Sequence, residues 1–131
     1  MASLGNEGRG ERANADEFPV YPACLQSVTG TDYVIGVTAT DQQDRKPEFA
    51  SYGRTCADVS APGVHMFGTR YYDPAFAHFP APYGGYWEGT SAAAPVVSGA
   101  ASLLLSRFPG LNPDKMKTVL QLSVDPVFTR G

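Results

Sequence analysis

Basic residues are few and scattered in this sequence. Ten lysines and arginines stand against 13 aspartates and glutamates, giving a net charge of -3. No cluster of them marks a nucleic-acid or membrane-surface patch, so neither a nucleic acid nor a membrane is expected as a partner. No apolar run approaches the roughly 18 residues of a membrane span, and residues 1–12 lack the basic-then-apolar layout of a secretory leader. Two cysteines, Cys24 and Cys56, and two histidines, His65 and His78, fit no zinc pattern, and no metal ligands are assigned. From the residues alone the cysteines read as two separate buried thiols, or as a disulfide if their flanking segments pair as neighbouring strands.

A hydrophobic share of 43% with 18% charged residues fits one modest globular domain rather than a disordered chain. Residues 1–23 are turn-rich, and Pro19 and Pro22 exclude a helix there. Tyr33–Thr40 is β-branched and mostly apolar, which predicts a buried strand. After a charged turn at Asp41–Lys46, short strands are expected at Glu48–Tyr52 and Cys56–Ser60. Residues 65–88 show no period but hold Tyr71, Tyr72, Phe76, Phe79, Tyr83, Tyr86 and Trp87. This segment reads either as an aromatic-packed surface loop or as a loop that touches a substrate. Ser91–Phe108 is almost free of charge and rich in alanine, the pattern of a helix enclosed by other elements. Phe108-Pro109-Gly110 stops it. Asn112 then caps a second helix, Pro113 to about Ser123, with proline in the first turn.

Two local motifs carry chemistry. In Gly89-Thr90-Ser91-Ala92-Ala93-Ala94-Pro95 a serine opens an apolar helix, near unpaired N–H groups and the positive end of the helix dipole. Those groups suit a nucleophile whose reaction places negative charge on a neighbouring oxygen. Alone the motif is weak, because serine also caps helices for structural reasons. Leu4-Gly5-Asn6-Glu7-Gly8 places an amide side chain at a strand end, where an Asn-Glu-Gly turn is the plain alternative.

Together these motifs resemble the subtilisin-like serine proteases (the subtilase, or peptidase S8, family). Ser91, Ala93 and Pro95 stand where the family's serine motif has its serine, alanine and proline. Tyr21-Pro22-Ala23, Val34–Asp41, Phe49–Gly53 and Asp58–Val64 follow in the family's order, so the likeness covers most of residues 1–125. It implies an α/β fold: the C-terminal part of a three-layer domain with a mainly parallel sheet, a buried central helix after Ser91 and a β-hairpin region at 33–60. Residues 1–131 would then be a partial catalytic domain carrying an aromatic-rich loop insertion at 65–88. Ser91 is the implied nucleophile and Asn6 the implied oxyanion donor. Gly5, Glu17, Gly89 and Thr90 are implied at the substrate, with Asp16 and Glu17 near the primary specificity pocket, where acidic groups favour a basic side chain. The resemblance also implies a Cys24–Cys56 disulfide beside paired strands, an oxidising, secreted or extracytoplasmic setting, and no required cofactor. It leaves room for a structural calcium ion in the full-length protein near the carbonyls of Tyr21–Ala23.

The family's other two catalytic motifs are missing. No Asp followed by Ser, Asp or Thr and then Gly occurs, and no His-Gly-Thr. His65 is expected in a loop and His78 in the aromatic insertion, neither as the catalytic base. Without a base a serine is a weak nucleophile. The expectation is therefore a serine endopeptidase whose aspartate and histidine lie in an upstream part of the same domain, inactive as this chain alone. The alternative is a non-catalytic module that binds a peptide or a partner subunit. An α/β-hydrolase is excluded, because its Gly-x-Ser-x-Gly pattern would need glycine where Ala93 stands.

Overall fold

The computed structural model describes residues 1–25 and 33–126. Its core is a parallel three-stranded sheet in the order β1 (Ala2–Ser3), β2 (Gly36–Thr40), β3 (Val59–Pro62). Ala2 pairs with Gly36 at one side of β2, and Val37 with Val59 at the other. Alternation along β2 sends Val37 and Ala39 to one face, where they meet Ile35, Val59 and Ala61 in the core. On the opposite face the Thr38 hydroxyl donates to Ser51 O at 2.6 Å.

The hairpin expected at 33–60 is not formed: β2 and β3 run parallel. Parallel neighbours need a crossover rather than a tight turn, and residues 41–58 make it. The expected strand at Glu48–Tyr52 is a turn within that crossover, with a single parallel bridge between Tyr52 and Asn14. The strand expected from Tyr33 begins at Gly36, and the one expected from Cys56 begins at Val59. Residues 65–88, expected as a loop, contain an antiparallel hairpin of β4 (Met66–Thr69) and β5 (Tyr83–Trp87). Its period was hidden by a register shift between Met66 and Gly68 and by glycines at 68, 84 and 85.

Helix α1 (Thr90–Arg107) lies on the sheet through Ala93, Val97 and Ala101, a four-residue spacing that keeps small side chains on one face. The expectation of a buried helix is only half met. Val96 and Leu103 on its other side, and Leu105 at the helix's flank beyond Ala101, are exposed, because the described residues supply cover for one face only. Helix α2 (Pro113–Leu122) starts where Asn112 Oδ1 accepts from Lys115 N at 2.9 Å. Its Met116 and Leu120 enter the same core. Asp58 fastens α2 to the sheet: it accepts from Gly36 N at 2.8 Å and from Gln121 Nε2 at 3.2 Å, and pairs with Lys117 Nζ at 2.8 Å.

Cys24 and Cys56 form a disulfide. It does not flank paired strands, as expected, but ties the turn at 21–24 to the turn before β3. The loop it closes spans a sequence separation of 32. Cross-linking a loop of this size restricts the unfolded chain, and loss of such a bridge costs about 2–5 kcal/mol. Replacing both cysteines with alanine should lower the urea midpoint accordingly while leaving α1 and α2 helical by far-ultraviolet circular dichroism.

Candidate active site

The end of β1 and the start of α1 meet across the sheet's edge. Gly5 N donates to Thr90 Oγ1 at 3.1 Å. Asn6 Oδ1 accepts from Thr90 N at 3.0 Å and from the Thr90 hydroxyl at 3.1 Å. Asn6 therefore caps α1 from a sequence separation of 84, and no side chain of the helix's own N-cap does so. With its oxygen committed to Thr90, the amide's Nδ2 is turned toward Gly89 and Ser91. A β-carbon placed on Gly89 would lie 3.2 Å from Asn6 Nδ2 and 3.1 Å from Ser91 Oγ. Gly89 also holds φ at 143°, outside the range that other residues adopt readily. Glycine thus leaves open the space between Ser91 Oγ and Asn6 Nδ2.

Ser91 is exposed, and its hydroxyl makes no hydrogen bond among the described residues. Its N–H lies in the first turn, where no helical carbonyl precedes it. The carbonyl of Gly89 is taken by Ala92 N and Ala93 N. An oxygen placed beside Ser91 would meet two convergent donors, Ser91 N–H and Asn6 Nδ2, at the positive end of α1.

Sequence reasoning gave no role to Ser51, which is fully buried and builds the platform under Asn6. Its N donates to Gly5 O at 3.0 Å, its Oγ accepts from Glu7 N at 3.1 Å, and nearby Gly8 N donates to Phe49 O at 2.8 Å. The available signal was the Phe49–Gly53 segment, matched by resemblance but not linked to Asn6.

A cleft of about 640 Å³ opens beside Ser91, walled by Ser3, Gly5, Val20, Pro22 and Pro95 among others. Thr90 is buried, and its hydroxyl is bonded to Gly5 and Asn6, so it positions the amide. Glu17 is not at the cleft. It is exposed and accepts from Asn14 Nδ2 at 2.8 Å. Neither histidine lines the cleft. His65 Nε2 lies 3.2 Å from Glu88 Oε1 and its ring meets Tyr86 edge-on, while His78 gives only its carbonyl, to Arg70. No group of three or more carboxylate, histidine or cysteine side chains fit to hold a metal ion occurs among the described residues.

Asp16 fastens the cleft's outer wall. Its carboxylate accepts from the Thr55 hydroxyl and from the backbone N–H groups of Arg54 and Thr55, at 2.5 and 2.9 Å for the latter two. These bonds, the Thr55 hydroxyl first, hold its pKa below the ordinary 3.8. A depressed pKa adds stability above the unfolded value, and that stability is lost as pH falls through the folded value. Asp16→Asn should therefore destabilise the fold at neutral pH and flatten the acid limb of the stability profile below about pH 4. Thr90→Val should cost about 1–3 kcal/mol by stranding Gly5 N and one Asn6 lone pair. Thr90→Ser, which keeps the hydroxyl, should cost clearly less in the same urea titration.

Comparison with known proteins fits this geometry. A family model described as "Subtilase family" matches residues 1–130. Thermitase of Thermoactinomyces vulgaris is 30% identical over 131 residues, all of this chain and 38% of that protein. The thermophilic serine proteinase of Bacillus sp. (strain AK1) is 36% identical over 102 residues, 75% of this chain and 21% of that protein. A cold-adapted subtilisin-like serine proteinase of known structure superposes with a TM-score of 0.71 at 25% identity, over 93% of this chain and 37% of that one. The self-cleaved protease domain of PatA does so with a TM-score of 0.67 at 27% identity, over 97% and 42%. The chain thus spans about two-fifths or less of the relatives it matches. Over that span, with a serine at the head of α1 and an asparagine amide turned toward it, the chain belongs to the subtilase family of serine proteases.

Proposed function

We propose that this chain is the nucleophile-bearing part of a serine endopeptidase, acting on peptide or protein substrates by acyl transfer. Ser91 Oγ attacks the scissile carbonyl, and the oxygen that becomes negative settles between Ser91 N–H and Asn6 Nδ2. The amine leaves with a proton, and water then releases the acyl group from Ser91. The observation that carries this reading is the open point at Gly89, flanked at 3.1 and 3.2 Å by Ser91 Oγ and Asn6 Nδ2. The base that takes the serine proton, and the aspartate that orients it, come from polypeptide outside these 131 residues, in the missing part of the same domain. That part seats against the cleft beside Ser91 and covers Val96, Leu103 and Leu105 on α1. A parallel sheet is buried on both faces in domains of this kind, which favours such a cover.

An extracytoplasmic setting goes with this reading. The Cys24–Cys56 bridge persists in oxidising compartments. Relatives 30 and 32% identical to this chain are described as a cell wall-associated protease and an extracellular serine proteinase.

The test is to co-express this chain with a polypeptide that supplies the aspartate and histidine, then add a fluorophosphonate probe and a casein substrate. Labelling and cleavage are expected together, and Ser91→Ala should abolish both. Asn6→Ala should lower kcat by about 10²–10³, the usual cost of one oxyanion donor. It should also cost about 1–3 kcal/mol of stability by removing the cap of α1, so the two readouts are measured together. Labelling that survives Ser91→Ala would overturn the assignment. A complemented domain that binds peptide without any hydrolysis would make the chain a binding module instead.

A further inference from the structure

The Asn6 side chain has a tip and a base to be fixed, and Thr90 holds only the tip. Its N–H and its hydroxyl take Asn6 Oδ1 at 3.0 and 3.1 Å. About that anchor the amide can still pivot, and the direction of Nδ2 then depends on where the Asn6 backbone stands. Gly5 does little to fix that backbone by itself. It holds φ at 106°, a region that glycine enters easily and leaves as easily. The base of the side chain must be held from outside.

One residue does this on both sides of Asn6. Ser51 N donates to Gly5 O at 3.0 Å, and Ser51 Oγ accepts from Glu7 N at 3.1 Å. Ser51 is fully buried, and its own carbonyl accepts from the Thr38 hydroxyl of β2 at 2.6 Å. The turn that carries it is held as well, because Lys46 Nζ donates to Ala50 O at 3.0 Å and to Pro47 O at 3.3 Å. Gly8 N, donating to Phe49 O at 2.8 Å, closes the same turn onto the donor loop. A line of hydrogen bonds thus runs from the sheet at Thr38, through Ser51, to both neighbours of Asn6. Each bond is internal to the described residues, so none of them depends on what covers the chain's exposed faces.

We propose that Ser51 is a positioning residue for the oxyanion donor, with Thr38 as its support in β2. It lines no part of the cleft beside Ser91 and acts by setting the base of the Asn6 side chain, while Thr90 sets its tip. This rests on the proteolytic reading for the reaction served, and on the hydrogen bonds for the placement. Donors at a developing charge act only when they are placed in advance, and misplacement by about 1 Å costs up to about a hundredfold in rate. Loss of the Ser51 hydroxyl strands Glu7 N and removes one of the two holds beside Asn6. A part of that cost, about tenfold in kcat, is therefore expected. KM should change by less than about twofold, since the interaction lost is one made in the transition state.

Ser51→Ala and Thr38→Val are made in the complemented domain, each with Asn6 present and with Asn6→Ala, and casein hydrolysis is followed. A residue that acts through Asn6 loses its effect once the amide is gone. With Asn6 present, Ser51→Ala should lower kcat about tenfold and Thr38→Val about threefold; with Asn6→Ala, neither should lower it more than about twofold. Thr38→Val keeps the shape of threonine, so it carries the test even where Ser51→Ala fails to fold. Asp58→Asn, which loosens α2 and whose bonds do not reach the donor loop, is the control that lowers the urea midpoint without moving kcat. Equal losses with and without Asn6 would make Ser51 merely structural and overturn the proposal. So would a folded Ser51→Ala domain with unchanged kcat. The Asn6 side-chain amide signals of the isotope-labelled domain give a magnetic-resonance readout that needs no hydrolysis. Ser51→Ala should shift or broaden them, and Asp58→Asn should not. A complemented domain that binds peptide but never hydrolyses it would sink the proteolytic reading, and these signals would then decide the placement alone. Signals unmoved by Ser51→Ala would sink the placement too.

Discussion

The site depends on one buried hydroxyl. Thr90 Oγ1 accepts from Gly5 N and donates to Asn6 Oδ1, joining residues at a sequence separation of 85. A neutral hydrogen bond contributes only about 1 kcal/mol net, but a buried polar group left unpaired costs up to about 3. The second figure is the one that matters at a residue buried as fully as Thr90. It makes the docking of α1 on the end of β1 specific, because a slipped register would strand Gly5 N, the hydroxyl and the amide together. The same bonds choose which end of the Asn6 amide faces Ser91. Fold specificity and donor orientation are thus one interaction seen from two sides.

This explains which parts of the molecule could be read from the sequence. Both helices were legible because their signals are local: Asn112-Pro113 for the cap, and Phe108-Pro109-Gly110 for the stop. Ser91's place at the head of α1 was legible from the alanine-rich run that follows it, whereas a chemical role for it came only from resemblance, since serine also opens helices for structural reasons. Asn6 was singled out only by resemblance, and its capping of α1 was not legible, since nothing near it in sequence shows which helix it caps. Pairing was not legible. Val37 and Val59 offer the same β-branched character to a parallel or an antiparallel neighbour, and the choice is made by the long crossover between them. Ser51 and Thr90 look like any small polar residues until their partners are in place. Glu17 was assigned by likeness of position, yet its nearer partner Asn14 holds it in the loop.

The loop from Ala13 to Leu25 carries part of the cleft wall and has almost no regular structure of its own. Two clamps on the turn at 53–56 fix it: the Asp16 carboxylate on Arg54 and Thr55, and Cys24 on Cys56. Tyr52 adds a third hold, its N donating to Ala13 O at 2.9 Å and its O accepting from Ala15 N at 2.7 Å. Since the same crossover presents Ser51 to Gly5 and Glu7, one segment fixes both the donor loop and the wall. The outer clamp stands beside a small apolar cluster of Leu4, Ala15, Ala23 and Cys56, which the covalent bond reinforces, and a buried serine makes the inner one.

On the proposed reading, the division of catalytic parts follows a physical line. What these residues hold is electrostatic: an amide, a backbone N–H and a helix terminus, each fixed by hydrogen bonds internal to them. Among the described residues neither histidine serves Ser91 as proton acceptor, since His65 is engaged with Glu88 and His78 stands in the hairpin tip. Oxyanion stabilisation requires donors that do not reorganise as charge develops, so it belongs with the rigid junction of β1 and α1. Proton transfer tolerates a partner brought up from another element, provided that it reaches hydrogen-bond distance in the working complex. The exposed side of α1 and the open cleft lie on the side from which such an element can come, whereas the Thr90 junction needs nothing from it. On the proposed reading, the donor geometry is set by these residues alone, and a base brought up from elsewhere would complete it.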